Sequence, residues 1–597
     1  MPNGKTIITI LAVGLFIACT GFAQSIEDNW NDFLHYTTIG RLDLAAGYAK
    51  AILDGNPDPV EMLNLTEENP QAYATLLKLI DSAPQPELTE MSKKILAIIE
   101  QGRFIRRTDP KIITEEIRRL SGTTRGQIAA VKRLQDAGEY AVAYMLDALM
   151  DNSRKEEWPN IIWALPQIGR DAIRPLVAAL QAENVSVKVE IIQALGKIGY
   201  PQSLAYLKYI IEKDESEELR TLADRSIRQI DPAVLTIPAA ELFYRLAENY
   251  YYHAQSLAPV EDANFANVWF WDKTERKLFR EKVDKNYFNE LMAMRECEWS
   301  LKADPGFGPA IGLWLAAYFK AEATGAAMPD YFGPGHADAM VYATTAGAEY
   351  LQQALERALK DKNAYVALGV IESLATNAGE KSLFYRVGPA QPLVQALAFD
   401  DRAVRYSAAI AIAAAAPKEN FPESKLVTEI LAQALGQTGE QINDDTGMWG
   451  EELADSYALR SAEVMLELAR TRNPVIDLSA AKDSLTNATN DKRPEIQMFA
   501  GQILARLDGP DAQRSIAAMA LAETNPLEIR LAAFASLDIS AKLHANLLDD
   551  EKIDAIYSLV SSKEIDPQLR SAAASAYGAL NLPSQKVKDL ILDQAKS

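Results

Sequence analysis

Cysteine is almost absent from this chain. Only Cys19 and Cys297 occur in 597 residues, and Cys19 lies in an N-terminal segment whose removal is predicted below. A single remaining thiol cannot form a disulfide within the mature chain, even in an oxidising compartment. The fold must therefore be stabilised by packing.

Histidine is also scarce, and the familiar motifs of catalysis are missing. The chain has no His-Glu-x-x-His, no Cys-x-x-Cys, no phosphate-binding glycine loop and no Gly-x-Ser-x-Gly turn. The four histidines show no metal-ligand spacing; they are His35, His253, His336 and His544. We therefore predict no catalytic residue, no metal ligand and no cofactor.

Two segments nevertheless carry chemically active groups. In Gly333–Asp338, His336 is a candidate general base oriented by Asp338, but we favour a connecting loop with Asp338 in the first turn of a helix. In Asn443–Glu452, oxygen side chains surround a glycine, which suits calcium in principle. The ligands do not alternate as in a helix-loop-helix calcium site, so we favour a solvated acidic loop.

Positive charge is in deficit. The chain has 61 lysines and arginines against 82 acidic residues, which gives a formal net charge of −21. Nucleic acid or an anionic membrane would be repelled, so we predict no nucleic-acid partner. Hydrophobic residues make up 48% of the chain, which excludes disorder. The length exceeds that of one ordinary core and fits a series of thin core layers.

The N-terminus has the layout of a secretory signal. Lys5 is the only charge in residues 1–23, an apolar run follows it, and small residues lead up to Ala23. We predict cleavage after Ala23 and a mature chain in the periplasm or outside the cell, with no transmembrane span. A lipid anchor on Cys19, at the end of a degenerate lipobox, is the alternative.

A repeated segment predicts the architecture. Pro175–Leu180 recurs as Pro392–Leu397, and seven residues later each is followed by an aliphatic-basic pair, Val187-Lys188 or Val404-Arg405. Self-similarity of this kind indicates stacked supersecondary units, each unable to bury its apolar face alone.

Three glycines set the period of the first array. Gly138, Gly169 and Gly199 stand 31 and 30 residues apart, and each is expected to end a helix, where positive φ is cheap for glycine. The period and the leucine-glycine helix endings resemble HEAT repeats, and within them the short PBS-lyase-like subtype. The resemblance implies an α-solenoid that binds proteins or peptides.

A second array shows a shared helix start. Arg405, Arg530 and Arg570 each follow an aliphatic residue and stand two positions before a small residue that alanine follows, and Asp401 and Asp566 are predicted N-caps. This start resembles the second helix of a HEAT repeat. The resemblance implies that the arginine ties adjacent units together and that the alanines allow close packing.

We therefore predict an all-α chain, an armadillo/HEAT-type α-solenoid with tetratricopeptide-like hairpins and a small β-hairpin insertion. The tetratricopeptide resemblance rests on two helices joined at Gly40 and on a helix junction at Asp304-Pro305. The predicted segments are a signal peptide at 1–23, tetratricopeptide-like hairpins at 24–110, a HEAT-like array at 111–232, a tetratricopeptide-like segment at 233–345 with a β-hairpin near 267–283, and a second HEAT-like array at 346–597.

The predicted β-hairpin concentrates aromatic residues. Alternation places Trp269 and Trp271 on one face and Phe270 on the other. We favour packing of one face against the tyrosine-rich helix near residues 241–253. Because exposed aromatic rings mark contact sites, these three residues are also the candidate partner-binding residues.

The leading functional interpretation is an exported, non-enzymatic scaffold that binds proteins or peptides. One alternative is an enzyme like the PBS-lyase-like subtype, acting on a tetrapyrrole, for which Cys297 is the one candidate reactive thiol. A lipid-anchored structural protein of the envelope is the other alternative.

We predict that the native protein begins at Gln24, because cleavage is expected after Ala23. Intact-mass measurement of the protein isolated from its own cells checks this expectation. A terminus at an unprocessed Met1 would contradict export, and a diacylglyceryl group on Cys19 would favour the lipid-anchored alternative.

Overall fold

The computed structural model describes residues 25–82, 85–259, 264–333, 335–377, 379–438 and 450–583, together with residues 585, 588, 591 and 592. The predicted signal peptide and Cys19 lie outside these residues. Among the described residues, none of the helices combines the length and the apolar character needed to cross a membrane.

The structure forms two compact units. The first comprises the described residues up to 203 together with 269–279, and the second comprises 204–268 and 280 onwards. The five-segment division from the sequence stays a prediction.

The first unit is built of helices joined by short turns. They are α1 (Ile26–Thr38), α2 (Leu42–Asp54), α3 (Pro59–Glu68), α4 (Ala72–Ser82), α5 (Pro86–Thr108), α6 (Pro110–Arg119), α7 (Thr124–Ala137), α8 (Glu139–Met150), α9 (Trp158–Ala164), α10 (Ile173–Ala179) and α11 (Val185–Ile198).

The second unit contains the other helices, and one β-hairpin has residues in both units. The elements are α12 (Leu204–Lys213), α13 (Glu217–Ile230), α14 (Ala239–Tyr251), β1 (Phe265–Asp272), β2 (Lys277–Asp284), α15 (Phe288–Ala303), α16 (Pro309–Glu322), α17 (Ala339–Ala346), α18 (Ala348–Lys360), α19 (Ala364–Asn377), α20 (Glu380–Leu383), α21 (Pro392–Gln395), α22 (Arg402–Ala414), α23 (Ser424–Leu435), α24 (Glu451–Thr471), α25 (Lys482–Ala488), α26 (Pro494–Leu504), α27 (Pro510–Leu521), α28 (Leu527–His544), α29 (Asp550–Ser561) and α30 (Pro567–Ala579).

Most helices pack mainly on helices one or two positions away in the chain, as in the pairs α14–α15, α15–α16, α26–α28 and α28–α30. The apolar stripes of neighbouring helices therefore form successive thin core layers. This arrangement confirms the predicted all-α solenoid.

The glycines that set the repeat period have the backbone geometry that the sequence predicts. The φ angles of Gly138, Gly169 and Gly199 are 58°, 77° and 73°, a region that costs other residues energy. Gly138 separates α7 from α8, and Gly199 ends α11 in the left-handed conformation. The predicted helix endings are confirmed at these positions.

The repeated segments also occupy equivalent structure. Pro175–Leu180 lies in α10 and its end, and Pro392–Leu397 forms α21 and the tight turn after it. Each is followed by a longer helix, α11 or α22. One copy lies in each unit, so both units use the same structural motif.

Both predicted N-caps are present. The side chain of Asp401 accepts a hydrogen bond from the Val404 amide, and that of Asp566 accepts from the amides of Gln568 and Leu569. These carboxylates satisfy amides that have no partner inside the helix, so the helix starts at α22 and α30 are set locally.

The arginines of the second array fold back onto carbonyl groups that precede their own helices. These carbonyls lie where the preceding helix or turn ends, and they lack partners within it. Arg405 donates to Phe399 O at 2.7 Å, Arg530 to Ala520 O at 3.0 Å and Arg570 to Ser562 O at 3.3 Å. Each arginine therefore joins two consecutive segments of the chain.

A carboxyl group is buried between α12 and α15. Glu296 is 1% exposed, and its Oε1 accepts a hydrogen bond from the Tyr206 hydroxyl at 2.6 Å. The Tyr206 ring packs edge-on against Phe243 and Trp299. Burial raises the pKa of Glu296 to about 7, because the charged form loses its hydration.

The stability of the second unit is therefore expected to depend on pH through Glu296. The usual pKa is 4.5 and the folded value about 7, so between these values the folded chain holds a proton that the unfolded chain releases. The contribution of this group to the free energy of unfolding is full below about pH 4.5 and is lost as pH rises through about 7.

The substitution Glu296→Gln keeps a side-chain oxygen that accepts the Tyr206 hydrogen bond, but the amide does not titrate. As the pH rises from 5 to 8, we expect the free energy of unfolding of this variant to increase by about 1–3 kcal/mol relative to that of the wild type. Urea denaturation at each pH measures the difference. Glu349→Gln, at an exposed position, is the control. Parallel pH profiles for Glu296→Gln and the wild type would show that this carboxyl does not titrate as described.

Candidate functional site: a groove between three helices

The centre of the candidate site is Arg357 on α18. Its Nη2 donates to the Tyr244 hydroxyl at 2.8 Å and to Glu248 Oε1 at 2.7 Å, and its Nη1 donates to the Tyr252 hydroxyl at 2.7 Å. The arginine side chain is 15% exposed. Charge-assisted hydrogen bonds of this kind are stronger than neutral ones, so Arg357 holds α18 against α14.

The helical period explains why these groups meet. Tyr244, Glu248 and Tyr252 are four residues apart and lie on one side of α14 and its C-terminal end. On α18, Gln353 and Arg357 are likewise four residues apart. Each helix therefore presents a row of polar side chains to the same space.

Glycine allows α16 to approach α18 closely. A Cβ on Gly308 would lie 2.9 Å from Tyr350 Cε1, and a Cβ on Gly312 would lie 3.1 Å from Gln353 Cβ and 3.2 Å from Tyr350 O. A larger residue at either position would push the helices apart. The third wall of the site thus depends on these two glycines.

The three helices enclose a cavity of about 560 Å³. It is lined from α14 and its end by Tyr244, Glu248 and Tyr252, from α16 by Pro309, Gly312 and Leu313, and from α18 and its end by Gln353, Glu356, Arg357, Lys360 and Asp361. We call this cavity the groove. Its volume falls within the range of ordinary ligand pockets.

Two tyrosine rings lie beside the Arg357 guanidinium. The guanidinium of Arg357 lies 5.6 Å from the ring centres of both Tyr251 and Tyr252. Burial raises the pKa of Tyr244 to about 12, so its hydroxyl stays protonated. Tyr252 is 49% exposed and donates from its hydroxyl to Asp361 Oδ1 at 3.3 Å.

A second charged cluster fixes the end of α14. Glu290 Oε1 lies 2.5 Å from His253 Nε2 and 3.1 Å from Lys320 Nζ, and Lys320 also donates to Tyr251 O at 2.7 Å. Burial alone would raise the pKa of Glu290, but the His253 hydrogen bond and the Lys320 charge outweigh it and hold the pKa below its usual value. The cluster therefore holds the C-terminal end of α14 in place next to the groove.

The predicted β-hairpin is present, but Trp269 is not on its surface. Trp269 is 5% exposed, and its indole N–H donates to Glu139 Oε2 at 2.8 Å in the first unit. Arg174 Nη2 lies 3.5 Å from the same oxygen. The prediction of Trp269 as a partner contact is therefore wrong, because a buried carboxylate on α8 binds its polar edge.

Phe270 and Trp271 are half-buried. Phe270 stacks on Phe279 of the facing strand, with ring centres 5.2 Å apart. Asp272 closes the turn by accepting hydrogen bonds from the amides of Thr274 and Glu275. As predicted partner contacts, Phe270 and Trp271 stay candidates.

The other sequence candidates have structural roles where they are described. Asp338 is the N-cap of α17 and accepts from the Val341 amide at 3.0 Å, one residue before the first turn in which the favoured interpretation placed it. His336 stacks on Phe332 at 4.2 Å, with its Nδ1 3.1 Å from the Tyr318 hydroxyl. Cys297 is buried, and burial raises the pKa of its thiol well above the usual range.

Most of the loop Asn443–Glu452 lies outside the described residues, with Glu451 opening α24. Among the residues that the structure describes, there is no cluster of histidine, cysteine and acidic groups that would hold a metal ion.

Sequence reasoning missed the groove. It singled out the tyrosine-rich helix but not Arg357, and the row of polar residues on α18 was not used. The signal available was the spacing of Gln353, Glu356, Arg357 and Lys360, which places all four on one helix face. A polar face on a helix is usually solvated, so only the position of α14 and α16 distinguishes this one.

The helical arrays define an α-solenoid protein. Residues 142–228 match the family model for HEAT repeats. These residues contain HEAT repeats, and the predicted HEAT resemblance is confirmed over them. The PBS-lyase-like subtype and the tetratricopeptide resemblance stay predictions. No curated protein matches the chain.

Solved structures similar to the chain include a crystal structure of an engineered protein, with 14% identity over 93% of this chain and 99% of that chain and a TM-score of 0.22. The karyopherin Kap121p bound to the extreme C-terminus of the protein phosphatase Cdc14p shows 15% identity over 96% and 59%, with a TM-score of 0.25. A tumor overexpressed gene domain array from microtubule polymerases shows 10% identity over 84% and 99%, with a TM-score of 0.24. The HEAT assignment of residues 142–228 rests on the match to the family model.

We predict that Trp269→Phe lowers the free energy of unfolding by about 1–3 kcal/mol, because the buried Glu139 carboxylate loses a hydrogen-bond donor. Trp271→Phe is the matched control in the same strand, since Trp271 is half-buried, and we expect a smaller loss. Urea denaturation followed by circular dichroism measures both. Equal losses would contradict the structural role of the Trp269–Glu139 hydrogen bond.

Proposed function

We propose that this chain is an exported, non-enzymatic scaffold that binds a protein or peptide through the groove. The observation that carries the proposal is the groove itself, about 560 Å³ in volume, where polar side chains of α18, most of them half-buried, and tyrosines of α14 and its end line one cavity. Concave sites with a few placed polar groups and aromatic walls are typical of binding sites. The HEAT match supports the scaffold class.

The proposal of export rests on the N-terminal segment, with its single charge and its small residues before Ala23. The net charge of −21 supports a partner other than nucleic acid. The absence of the familiar catalytic motifs from the sequence supports a non-enzymatic role. Phe270 and Trp271 are retained as a second candidate surface, on the first unit.

Site-specific photocrosslinking tests the groove directly. We would place p-benzoylphenylalanine at Gln353, which lines the groove, and at Glu349, an exposed residue of α18 outside the lining. A third variant carries it at Trp271. Each full-length variant is irradiated in its native cell envelope, and the crosslinked products are identified by mass spectrometry.

We expect a discrete crosslinked protein from the Gln353 variant and none from the Glu349 variant, because only the former side chain faces the cavity. Crosslinks from Trp271 alone would place the partner on the hairpin and contradict the groove. The same crosslinked product from the Gln353 and Glu349 variants would indicate nonspecific contact and would contradict binding in the groove.

A further inference from the structure

We propose that the groove selects a partner segment that carries lysine or arginine side chains, with one cationic group seated beside Glu356 and Asp361. The inference rests on the proposed function and adds the chemistry of the partner.

The main positive charge of the groove, on Arg357, is already paired. Arg357 is paired with Glu248 and hydrogen-bonded to two tyrosine hydroxyls, so that ion pair leaves no net charge for a ligand. Breaking the pair to bind a carboxylate would leave Glu248 without its cation, a cost that disfavours acidic partners. Arg357 therefore has a structural role in the groove and does not bind an acidic ligand.

The remaining charged groups favour a cation. Glu356 has no ion pair among the described residues. Asp361 Oδ1 accepts a 3.3 Å hydrogen bond from Tyr252, and the Tyr251 hydroxyl also interacts with this carboxylate. These two carboxylates face one base, Lys360, which is exposed. A carboxylate next to an aromatic ring is suited to an ammonium or guanidinium group, which gains from both.

The long-range field acts in the same direction. A chain with a formal net charge of −21 attracts cations from a distance and repels acidic segments. Such attraction by itself is not selective, because every acidic surface shares it. The groove adds selectivity, since Glu356, Asp361 and the half-exposed Tyr252 converge on one cavity.

Fluorescence anisotropy with the full mature chain tests this inference. The probes are short fluorescein-labelled peptides on one Ser/Ala/Pro frame that carry lysines, glutamates or glutamines at the same positions. The chain variants are Glu356→Gln in the groove, Glu349→Gln as the matched control on the same helix, and Lys360→Glu, which adds a carboxylate to the groove. Circular dichroism checks that each variant is folded.

We expect the lysine peptide to bind and the glutamate and glutamine peptides to bind at least about tenfold more weakly. Glu356→Gln should weaken lysine-peptide binding about threefold or more, Glu349→Gln should change it little, and Lys360→Glu should strengthen it about threefold. A gain of affinity in Lys360→Glu cannot arise from misfolding.

Equal losses in Glu356→Gln and Glu349→Gln would overturn the inference, because they would show attraction by the whole acidic surface. Equal binding of all three peptides would overturn it as well. If a partner is crosslinked at Gln353 but its affinity does not change with these charge substitutions, the proposed function is supported and the selectivity for basic segments is not. If no partner is crosslinked there, the proposed function itself fails.

Discussion

Close packing of each helix on its neighbours in the chain is the constraint on which the structure depends. A helix of ten to twenty residues is marginal in water by itself, and no disulfide assists it within the described residues, where Cys297 is a free thiol. Small side chains make the approach possible: Ala408 and Ala533 are fully buried on α22 and α28. At Gly369 on α19, even a Cβ would clash with the Phe319 ring.

Buried polar groups make this packing specific. Ser300 donates to the Ala240 carbonyl at 2.8 Å, joining α15 to α14, and Ser461 donates to Leu431 O at 2.7 Å, joining α24 to α23. Glu296 and Glu290 are buried on α15 with partners from other helices. Because an unpaired buried polar group is costly, such bonds favour one register between neighbouring helices.

The groove results from the same packing. Glycines on α16 let it approach α18, Arg357 joins α18 to α14, and the Glu290 cluster holds the end of α14. The polar groups that line the groove therefore lie on helices whose positions these contacts fix. The rings of the β-hairpin have other contacts, because Phe270 stacks on a facing ring and buried Trp269 donates to the Glu139 carboxylate.

The sequence by itself determined the local features: the all-α class, the repeat period, the helix ends at Gly138 and Gly199, and the caps at Asp401 and Asp566. These depend on backbone conformation and hydrogen bonds within a few residues, which a sequence displays directly. Only the tertiary structure decided which polar groups meet. Trp269 bonds to a residue 130 positions away and Arg357 to one 109 positions away, and periodicity shows which residues share a face but not what covers that face.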